Sequence, residues 1–376
     1  MHPNSKPNIM KAQNQYTTIH PGEILRDELD AREIKQKDFA TTLGMPASVL
    51  NQLIQGKRSI TPDIAVLLES TLGIEASHWL RLQAERDIEV AKNKAEYIQK
   101  QRDIESWKSI QDCCNVNFLE KYISNGLGKS IPEKIQSVFS FFGVSSIQEL
   151  KIKFVSDVNP AFFRKSEKLT NNPVNLFTWK YMAFAESDTI VIPKKFDRNG
   201  LYDICKQLET IFLENSDTVA KITNLLNSYG IKFFLFDNEK GTHIDGFSFM
   251  RDGTPNIVLT LRHKKIDILA FTLLHELYHT FVHLTGNEDN NMISLADYKE
   301  SSEEQEADSF ATNILIPLRE WQIFKARNKG VSPYAISKKI REFANEYGIH
   351  PAIVLGRYQH EFNIFDNGRG FDRNIG

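Results

Sequence analysis

The segment with the clearest chemical pattern is His275-Glu276-Leu277-Tyr278-His279, which has the spacing H-E-x-x-H. On a helix, the two histidines project from one face one turn apart, so both imidazole nitrogens can reach a single Zn²⁺ at about 2.0–2.1 Å. Glu276 is offset from them, so its carboxylate is predicted to reach a water molecule on the metal rather than the metal itself. This is the position of the general base in a zinc hydrolase.

A downstream segment, SSEEQEADSFATNILIP, supplies a candidate third ligand. It is predicted to be a helix capped by Ser301 or Ser302. Glu304 is placed as the third zinc ligand, and Asp308, one turn further on, is placed to accept the N–H of a ligating histidine. Glu306 is the competing candidate for that ligand. The alternative for these acidic side chains is a solvated helix face without a metal.

Two other polar features lie beside the H-E-x-x-H motif. His283 is four residues beyond His279, but its nominal helical position is rotated by about 80° from that of His275. A packed histidine, or one that supports a ligand from behind, is therefore favoured over a further ligand. Arg262 and Asp267 flank the helix that carries the motif, and we interpret them as a structural ion pair.

The elements that must position these side chains are a helix and a small sheet. Residues 201–229 have a helical pattern, and three later segments have the β-branched and aromatic content of strands. Asp267 is predicted to cap the helix that carries the motif, and Gly286 is predicted to end it. The predicted strands are residues 231–236, 244–250 and 256–261, with the turn DGTP between the last two.

The segments FTLLHELYHTFVH, EEQEADSFATNILIP and IREFANEYGIHPAIVLGRYQHE resemble the ImmA/IrrE family of metallopeptidases. Members of that family are similar to a minimal thermolysin-like gluzincin, and the resemblance covers about residues 233–362. Matched residue by residue, it implies zinc on His275, His279 and Glu304, with Glu276 as the catalytic residue. The same resemblance implies an endopeptidase that acts on a repressor.

Tyr278 departs from the pattern of this family, which more often has glycine before the second histidine. A bulky side chain at this position is expected either to narrow the cleft or to face away from it.

The N-terminal third has the breaks that a helix-turn-helix requires. Short amphipathic helices are separated at Gly44 and Gly56, and Thr61 and Pro62 are predicted as the N-cap and first residue of another helix. Short helices joined by brief turns form a helix-turn-helix motif. In this interpretation residues 35–43 form its first helix, Gly44 and Met45 the turn, and residues 46–55 the helix that enters the major groove.

The exposed face of that second helix is predicted to read DNA. Amide side chains bond adenine edges in a bidentate way, Ser contacts base or phosphate, and Ala permits close approach. The alternative is a helical bundle whose polar face is only solvated. The absence of a basic surplus in residues 16–86 favours this alternative, but the helix-turn-helix pattern outweighs the charge balance. The predicted base-facing residues are Ala47, Ser48, Asn51 and Gln52, and the predicted phosphate contacts are Gln36, Lys57 and Arg58.

The segments HPGEIL, KDFA, LNQLIQGKRSIT and LGIEASHWLRLQ resemble HigA-type antitoxins of the Cro/cI-like helix-turn-helix superfamily, over about residues 18–84. The resemblance implies a homodimer that binds palindromic operator DNA. It also implies a cognate ribonuclease toxin as a candidate partner.

Composition limits the possible classes of protein. The chain has 376 residues, of which 41% are hydrophobic and 25% charged, so it is neither wholly disordered nor fibrous and exceeds a single small module. The sequence has no apolar run of about 18 residues and no apolar N-terminal segment, so we expect no membrane span, no secretory signal and a cytoplasmic location. A net charge of −2 predicts that any nucleic acid is bound through a local patch.

The three cysteines, Cys113, Cys114 and Cys205, do not form a disulfide framework. We expect plain thiols in a reducing compartment, with a redox or metal role for the adjacent pair as the alternative.

The predicted fold class is α+β and mainly helical. Residues 84–109 are expected to form one long connecting helix, whose thin apolar stripe (Ile88, Ala91, Ala95, Ile98) is either a dimer seam or packs on the neighbouring domain. Aromatic residues of the helices that follow are expected in the core; they are Phe139, Phe141, Phe142, Phe177 and Trp179. The predicted domains are a flexible tail (1–16), the helix-turn-helix domain (17–84), a helical linker region (85–198), the metallopeptidase domain (199–365) and a flexible tail (366–376).

Together these features predict a DNA-binding transcriptional regulator of antitoxin type with a fused zinc endopeptidase domain that cleaves itself or a protein partner. The alternative is a non-proteolytic antitoxin or regulator in which the metallopeptidase fold serves as a sensor or toxin-binding scaffold.

Overall fold

The computed structural model describes residues 17–157, 172–260, 262–284, 291–295, 302–329, 331, 333–362 and 370–376. The chain divides into two compact units, one up to Ser106 and the other from Trp107 to Gly376. The predicted tail of residues 1–16 lies outside the described residues. No helix in the described part of the chain is both long and apolar enough to cross a membrane.

The first unit consists of short helices around one apolar core. Thr61 accepts the N–H of Ile64 at 3.5 Å and caps a helix whose first residue is Pro62, which confirms that prediction. Leu50 and Trp79 are buried in the shared core. The helices are α1 (Pro21–Ala31), α2 (Gln36–Thr42), α3 (Ala47–Ile54), α4 (Pro62–Leu72) and α5 (Ala76–Lys92).

The long connecting helix predicted for residues 84–109 is interrupted. α5 ends at Lys92 with Asn93 as its C-cap, and α6 (Ala95–Gln111) begins two residues later. The carbonyl of Lys94 accepts the N–H of Ile98 at 3.1 Å and so begins the new helix. Because asparagine favours helix ends over helix interiors, a local break at Asn93 replaces the continuous helix.

The second unit contains a small four-stranded sheet in the order β1-β3-β2-β4. β1 is parallel to β3, whereas β2 pairs antiparallel with both β3 and β4. The three predicted strands are confirmed to within a few residues. β4 was not predicted, since it is a five-residue strand next to an Asn- and Asp-rich stretch. The strands are β1 (Lys232–Leu235), β2 (Ile244–Arg251), β3 (Thr254–Leu259) and β4 (Asn291–Leu295).

Helices between residues 116 and 228 belong to the same unit as the sheet, whereas the sequence predicts a linker of residues 85–198 and a separate domain from residue 199. Trp179 and Phe247 of β2 have ring centroids 6.0 Å apart in a shared apolar cluster. Of the other predicted core aromatics, Phe142 and Phe177 are buried, and Phe139 and Phe141 are half-buried. The helices are α7 (Val116–Tyr122), α8 (Ile131–Phe142), α9 (Ile147–Asp157), α10 (Pro173–Thr189), α11 (Leu201–Glu214) and α12 (Thr218–Ser228).

The helix with the H-E-x-x-H motif, α13 (Ile266–Tyr278), packs against β2 and β3 and against two later helices. Its N-cap is Lys265, so Asp267 lies in the first turn and is not the cap that was predicted. A π-helical turn, His279–His283, continues it, and the predicted end at Gly286 lies outside the described residues. The later helices are α14 (Ser302–Leu315), α15 (Leu318–Arg327), α16 (Pro333–Tyr347) and α17 (Pro351–Phe362).

The last residues of the chain are anchored, which corrects the prediction of a flexible tail for the described part, Gly370–Gly376. The N–H of Ile266 donates to the carbonyl of Arg373 at 2.8 Å. The guanidinium of Arg373 forms a two-pronged ion pair with Asp267, of which only 3% is exposed. A buried carboxylate needs such a partner, and this contact holds the segment on the start of α13.

Arg262 does not pair with Asp267, contrary to the prediction. Its guanidinium contacts Asp245 at 3.2 Å instead. Asp245 lies at the irregularity in the pairing of β2 with β4, between Ile244 and Gly246.

All three cysteines are free and buried, as the plain-thiol prediction requires. Burial raises the pKa of the Cys114 thiol to about 12 and that of the Cys205 thiol to about 12. Neither thiol is in the reactive thiolate form near neutral pH.

Candidate metal centre and candidate nucleic-acid interface

Three of the predicted metal-site side chains meet in the interior of the second unit. The Nε2 atoms of His275 and His279 are 2.9 Å apart. Glu304 reaches them from α14, with Oε2 3.1 Å from Nε2 of His275 and Oε1 3.3 Å from Nε2 of His279. All three side chains are buried. The structure therefore joins the two helices at one cluster of three potential ligand atoms.

Glu306 is not part of this cluster. Its Oε2 lies 3.6 Å from Nε2 of His283 and 3.4 Å from the hydroxyl of Tyr278, and 57% of its side chain is exposed. Residues 304 and 308 lie on one face of α14, whereas residue 306 projects from the other side of the helix. The geometry thus favours Glu304 over Glu306 as the third ligand.

Asp308 lies where the sequence placed it. Its Oδ1 is 2.9 Å from Nδ1 of His275, so that ring nitrogen donates to Asp308 and Nε2 is directed at the cluster. Burial alone would lower the pKa of His275, but its hydrogen bonds to Asp308 and Glu304 raise that pKa to about 10. Burial opposes ionisation of Glu304 as well, yet the two histidines lower its pKa to about 2.

These residues fit a divalent cation. Two imidazole nitrogens and a carboxylate converge at about hydrogen-bond distance, and a single proton cannot bridge all three acceptor atoms. A divalent cation held by these three side chains would satisfy their lone pairs together. Two His and one Glu form the donor set of catalytic zinc sites, which leave one position open for a reactant.

Glu276 lies beside the cluster and is completely buried. Its carboxylate packs against the α-carbon of Gly246 on β2, because a Cβ built at that position would lie 2.3 Å from Oε1. Glycine is therefore required at residue 246 for β2 to approach the motif so closely. Gly246 was not predicted as a site residue, although an isolated glycine within a strand pattern is a signal of close backbone approach.

Tyr278 lies against α14 and not among the three potential ligands. Its ring is 4.9 Å from that of Phe310, centroid to centroid, and 5.4 Å from that of His283. Of the two orientations considered for this residue, the structure shows the one that faces away from the cluster. Burial and the neighbouring His279 lower the pKa of His283, so its ring is neutral near pH 7.

In the first unit, α3 exposes the predicted base-facing residues and buries the opposite side. Leu50, Leu53 and Ile54 are in the core, and Asn51 Oδ1 accepts a hydrogen bond from Gln55 Nε2 at 3.0 Å. The predicted side chains at residues 36, 47, 48, 51, 52, 57 and 58 are all exposed.

The carbonyl of Gln52 holds the turn that follows α3. It accepts the N–H of Lys57 at 2.8 Å and that of Arg58 at 3.2 Å. Gly56, the residue before Lys57, has a left-handed φ of 68°. The two basic residues are therefore fixed beside the C-terminal end of α3.

His20 and Gly22 position α3, which the sequence patterns did not show. Nδ1 of His20 accepts the N–H of Gly22 at 2.9 Å and caps α1. A Cβ at Gly22 would lie 2.1 Å from the carbonyl oxygen of Leu53, and one at Gly56 would lie 3.1 Å from the His20 ring. The segment HPG thus lets α1 approach the end of α3 closely.

The arrangement of α2, a tight turn and α3 with an exposed polar face defines a helix-turn-helix domain, a fold of DNA-binding regulators. Comparison with known proteins supports the assignment of this domain as a helix-turn-helix. Residues 25–79 match a helix-turn-helix family profile. Virulence-associated protein I of Dichelobacter nodosus is 33% identical over 91 residues, which are 24% of this chain and 84% of that protein. The chain therefore belongs to this helix-turn-helix family.

Two other relatives are similar over a comparable length. The uncharacterized HTH-type transcriptional regulator YddM of Escherichia coli K12 is 29% identical over 79 residues, which are 19% of this chain and 84% of that protein. The structure of the Pseudomonas aeruginosa antitoxin HigA with the higBA promoter is 32% identical, covers 22% of this chain and 91% of that one, and has a TM-score of 0.21.

Proposed function

We propose that this DNA-binding regulator is of the antitoxin type, binds operator DNA as a homodimer, and carries a zinc-dependent endopeptidase of the minimal gluzincin type in its second unit. The peptidase cleaves the chain itself or a protein partner. The observation that carries the enzymatic part is the buried cluster of His275, His279 and Glu304 beside the buried Glu276.

Zinc bound by these three side chains would supply a Lewis acid that polarises a peptide carbonyl and makes water a stronger nucleophile. Glu276 accepts the proton of the attacking water and returns it to the leaving amine. Asp308 holds the His275 ring with its Nε2 directed at the cluster. Gly246 lets β2 lie directly beside the Glu276 carboxylate.

For the DNA-binding part, α3 is proposed to enter the major groove. Asn51 and Gln52 read base edges, and Ala47 and Ser48 allow close approach. Gln36, Lys57 and Arg58 hold phosphates. The support is the exposure of this set and the HTH-type regulators that the first unit resembles.

The burial of the cluster supports a second candidate function. His275, Glu276, His279 and Glu304 are all buried. A regulator that uses the cluster as a metal sensor, or the surrounding fold as a toxin-binding scaffold, needs no open cleft. Stoichiometric zinc without any cleavage would favour this alternative.

The test of the proposed function uses the full-length protein with zinc and a fragment of its own upstream DNA. We expect a gel shift with that fragment, and mass spectrometry should detect a truncated chain, or a truncated partner when candidate repressors are added. The Glu276→Gln variant, used as the control, should give no truncated product. If the experiment gives no gel shift and no truncated product, the proposal is contradicted.

Replacing the base-facing and the phosphate-facing residues should have different effects on DNA binding. The Asn51→Ala, Gln52→Ala double variant should lose sequence preference, at about 1–3 kcal/mol for each good bidentate contact. The Lys57→Ala, Arg58→Ala variant should weaken binding to all DNA. The slope of its log affinity against log salt should fall by the equivalent of about two phosphate contacts. Gel shifts on operator and scrambled DNA over a range of salt separate the two. Unchanged operator preference in the first variant would contradict the assignment.

The protein should also dimerise, since one recognition helix covers only half of a site whose halves are about 34–36 Å apart. Sedimentation with and without operator DNA measures this directly. A chain that stays monomeric at micromolar concentration, and binds the fragment as a monomer, would count against palindromic operator recognition.

A further inference from the structure

The two histidine rings of His279 and His283 form a contact that the proposed mechanism does not use. Their Nδ1 atoms are 2.7 Å apart. Nδ1 of His279 lies on the other side of its ring from Nε2, which faces Glu304 at 3.3 Å. His283 is thus behind His279 as seen from the cluster, and it is not one of the three side chains that could hold a metal among the described residues.

This contact determines which nitrogen of His279 carries the proton. A hydrogen bond between two Nδ1 atoms contains one proton, and a histidine that presents a bare Nε2 to a metal carries its proton on Nδ1. His279 therefore donates, and His283 accepts through Nδ1 and keeps its own proton on Nε2. That Nε2 faces the Glu306 carboxylate at 3.6 Å.

The backbone and two side chains hold His283 in this place. In a regular α-helix it would be rotated by about 80° from His275, but the π-helical turn His279–His283 widens the helix and brings the ring behind His279. The Tyr278 ring packs edge-on against His283 at 5.4 Å and an interplanar angle of 79°. The Tyr278 hydroxyl donates to Glu306 at 3.4 Å.

We propose that His283, supported by Tyr278 and Glu306, is a positioning residue for the metal centre: it accepts the Nδ1 proton of His279 and keeps Nε2 of that ligand directed at the metal. The inference rests on the proposed zinc site. It gives the two ligand histidines different partners, a carboxylate for His275 and an imidazole for His279. It also gives a role to Tyr278, where the chain departs from the pattern of the ImmA/IrrE family.

The test compares a substitution of His283 that keeps a hydrogen-bond acceptor with one that removes it. His283→Asn keeps an oxygen acceptor near the position of Nδ1, whereas His283→Phe keeps a ring without an acceptor. The zinc affinity of the full-length protein is measured by competition with a chromogenic chelator. We expect His283→Phe to bind zinc about 10–100-fold more weakly, and His283→Asn to stay within about threefold of wild type.

Two further measurements separate positioning from packing. Thermal unfolding of the zinc-free proteins reports packing alone. If His283 positions the ligand, His283→Phe must lose more zinc affinity than its loss of zinc-free stability explains. Tyr278→Gly should weaken zinc binding in the wild-type background but not further in His283→Phe, because both act through the same ring.

Several results would overturn the inference. Equal zinc affinity of His283→Phe and wild type excludes positioning, and an equal loss in Phe and Asn variants assigns His283 to packing. Loss of all zinc in His283→Phe, as expected for Glu304→Ala, would make His283 a ligand instead. A wild-type protein that binds no zinc contradicts the proposed function itself, whereas the other three outcomes contradict only the role of His283.

Discussion

The variant Glu276→Gln should retain its zinc and lose its peptidase activity. Glutamine has the size of glutamate, so it still fits against Gly246, where a Cβ would already collide with the Glu276 carboxylate. It cannot accept the proton of the attacking water, and general base catalysis contributes about 10²–10⁴-fold to such reactions. We expect the rate of product formation to fall by at least that factor, as measured by mass spectrometry of the truncated chain.

Glu214→Gln is the matched control for this variant. It makes the same chemical change on a side chain that is 53% exposed at the end of α11. It should keep wild-type cleavage. If Glu276→Gln cleaves as fast as wild type, Glu276 is not the base, and if His279→Ala and Glu304→Ala also cleave normally, the enzymatic proposal is wrong.

The second large effect is expected at the opposite end of α13. Arg373→Ala leaves the carboxylate of Asp267 buried without its cationic partner, since only 3% of Asp267 is exposed. Removing one partner of a buried ion pair costs about 3–5 kcal/mol. The free energy of unfolding in urea should fall by that amount. Zinc affinity should fall with it, because Asp267 lies in the first turn of the helix that bears His275 and leads into His279.

Arg262→Ala provides the comparison for Arg373→Ala. Its partner Asp245 has 29% of its side chain exposed, so that pair is worth about 0–1 kcal/mol. Asp267→Asn combined with Arg373→Ala should recover part of the lost stability, because an uncharged amide costs less to bury than an unpaired carboxylate. Equal, small effects of the two arginine substitutions would show that the C-terminal segment does not hold α13.

The parts of the fold that the sequence predicted are those fixed by local pattern. α2 and α3 lie within one residue of the predicted bounds, because glycine turns and apolar spacing determine them locally. The two histidines of the motif meet because residues one helical turn apart share a face. Glu304 and Asp308 are also one turn apart and share a face of α14, so Glu304 rather than Glu306 reaches the histidines.

The features that were missed depend on contacts between distant parts of the chain. Arg373 lies 106 residues after Asp267, so no local pattern links them. The packing of Trp179 on Phe247 makes residues 107–198 part of the second unit instead of a linker. The π-helical turn that begins at His279 has no local signature comparable to a cap or a glycine turn. Asn93 is a local signal for a helix end, but the alternating charges along the segment favoured one continuous helix.

The most direct test of this account is the zinc content of the purified full-length protein after dialysis, measured by mass spectrometry of the metal. We expect about one zinc per chain in wild type, Glu276→Gln and Glu306→Ala, and close to none in His279→Ala and Glu304→Ala. A wild-type protein without zinc would contradict the proposed metal centre. Zinc retained in Glu304→Ala but lost in Glu306→Ala would contradict the assignment of the third ligand.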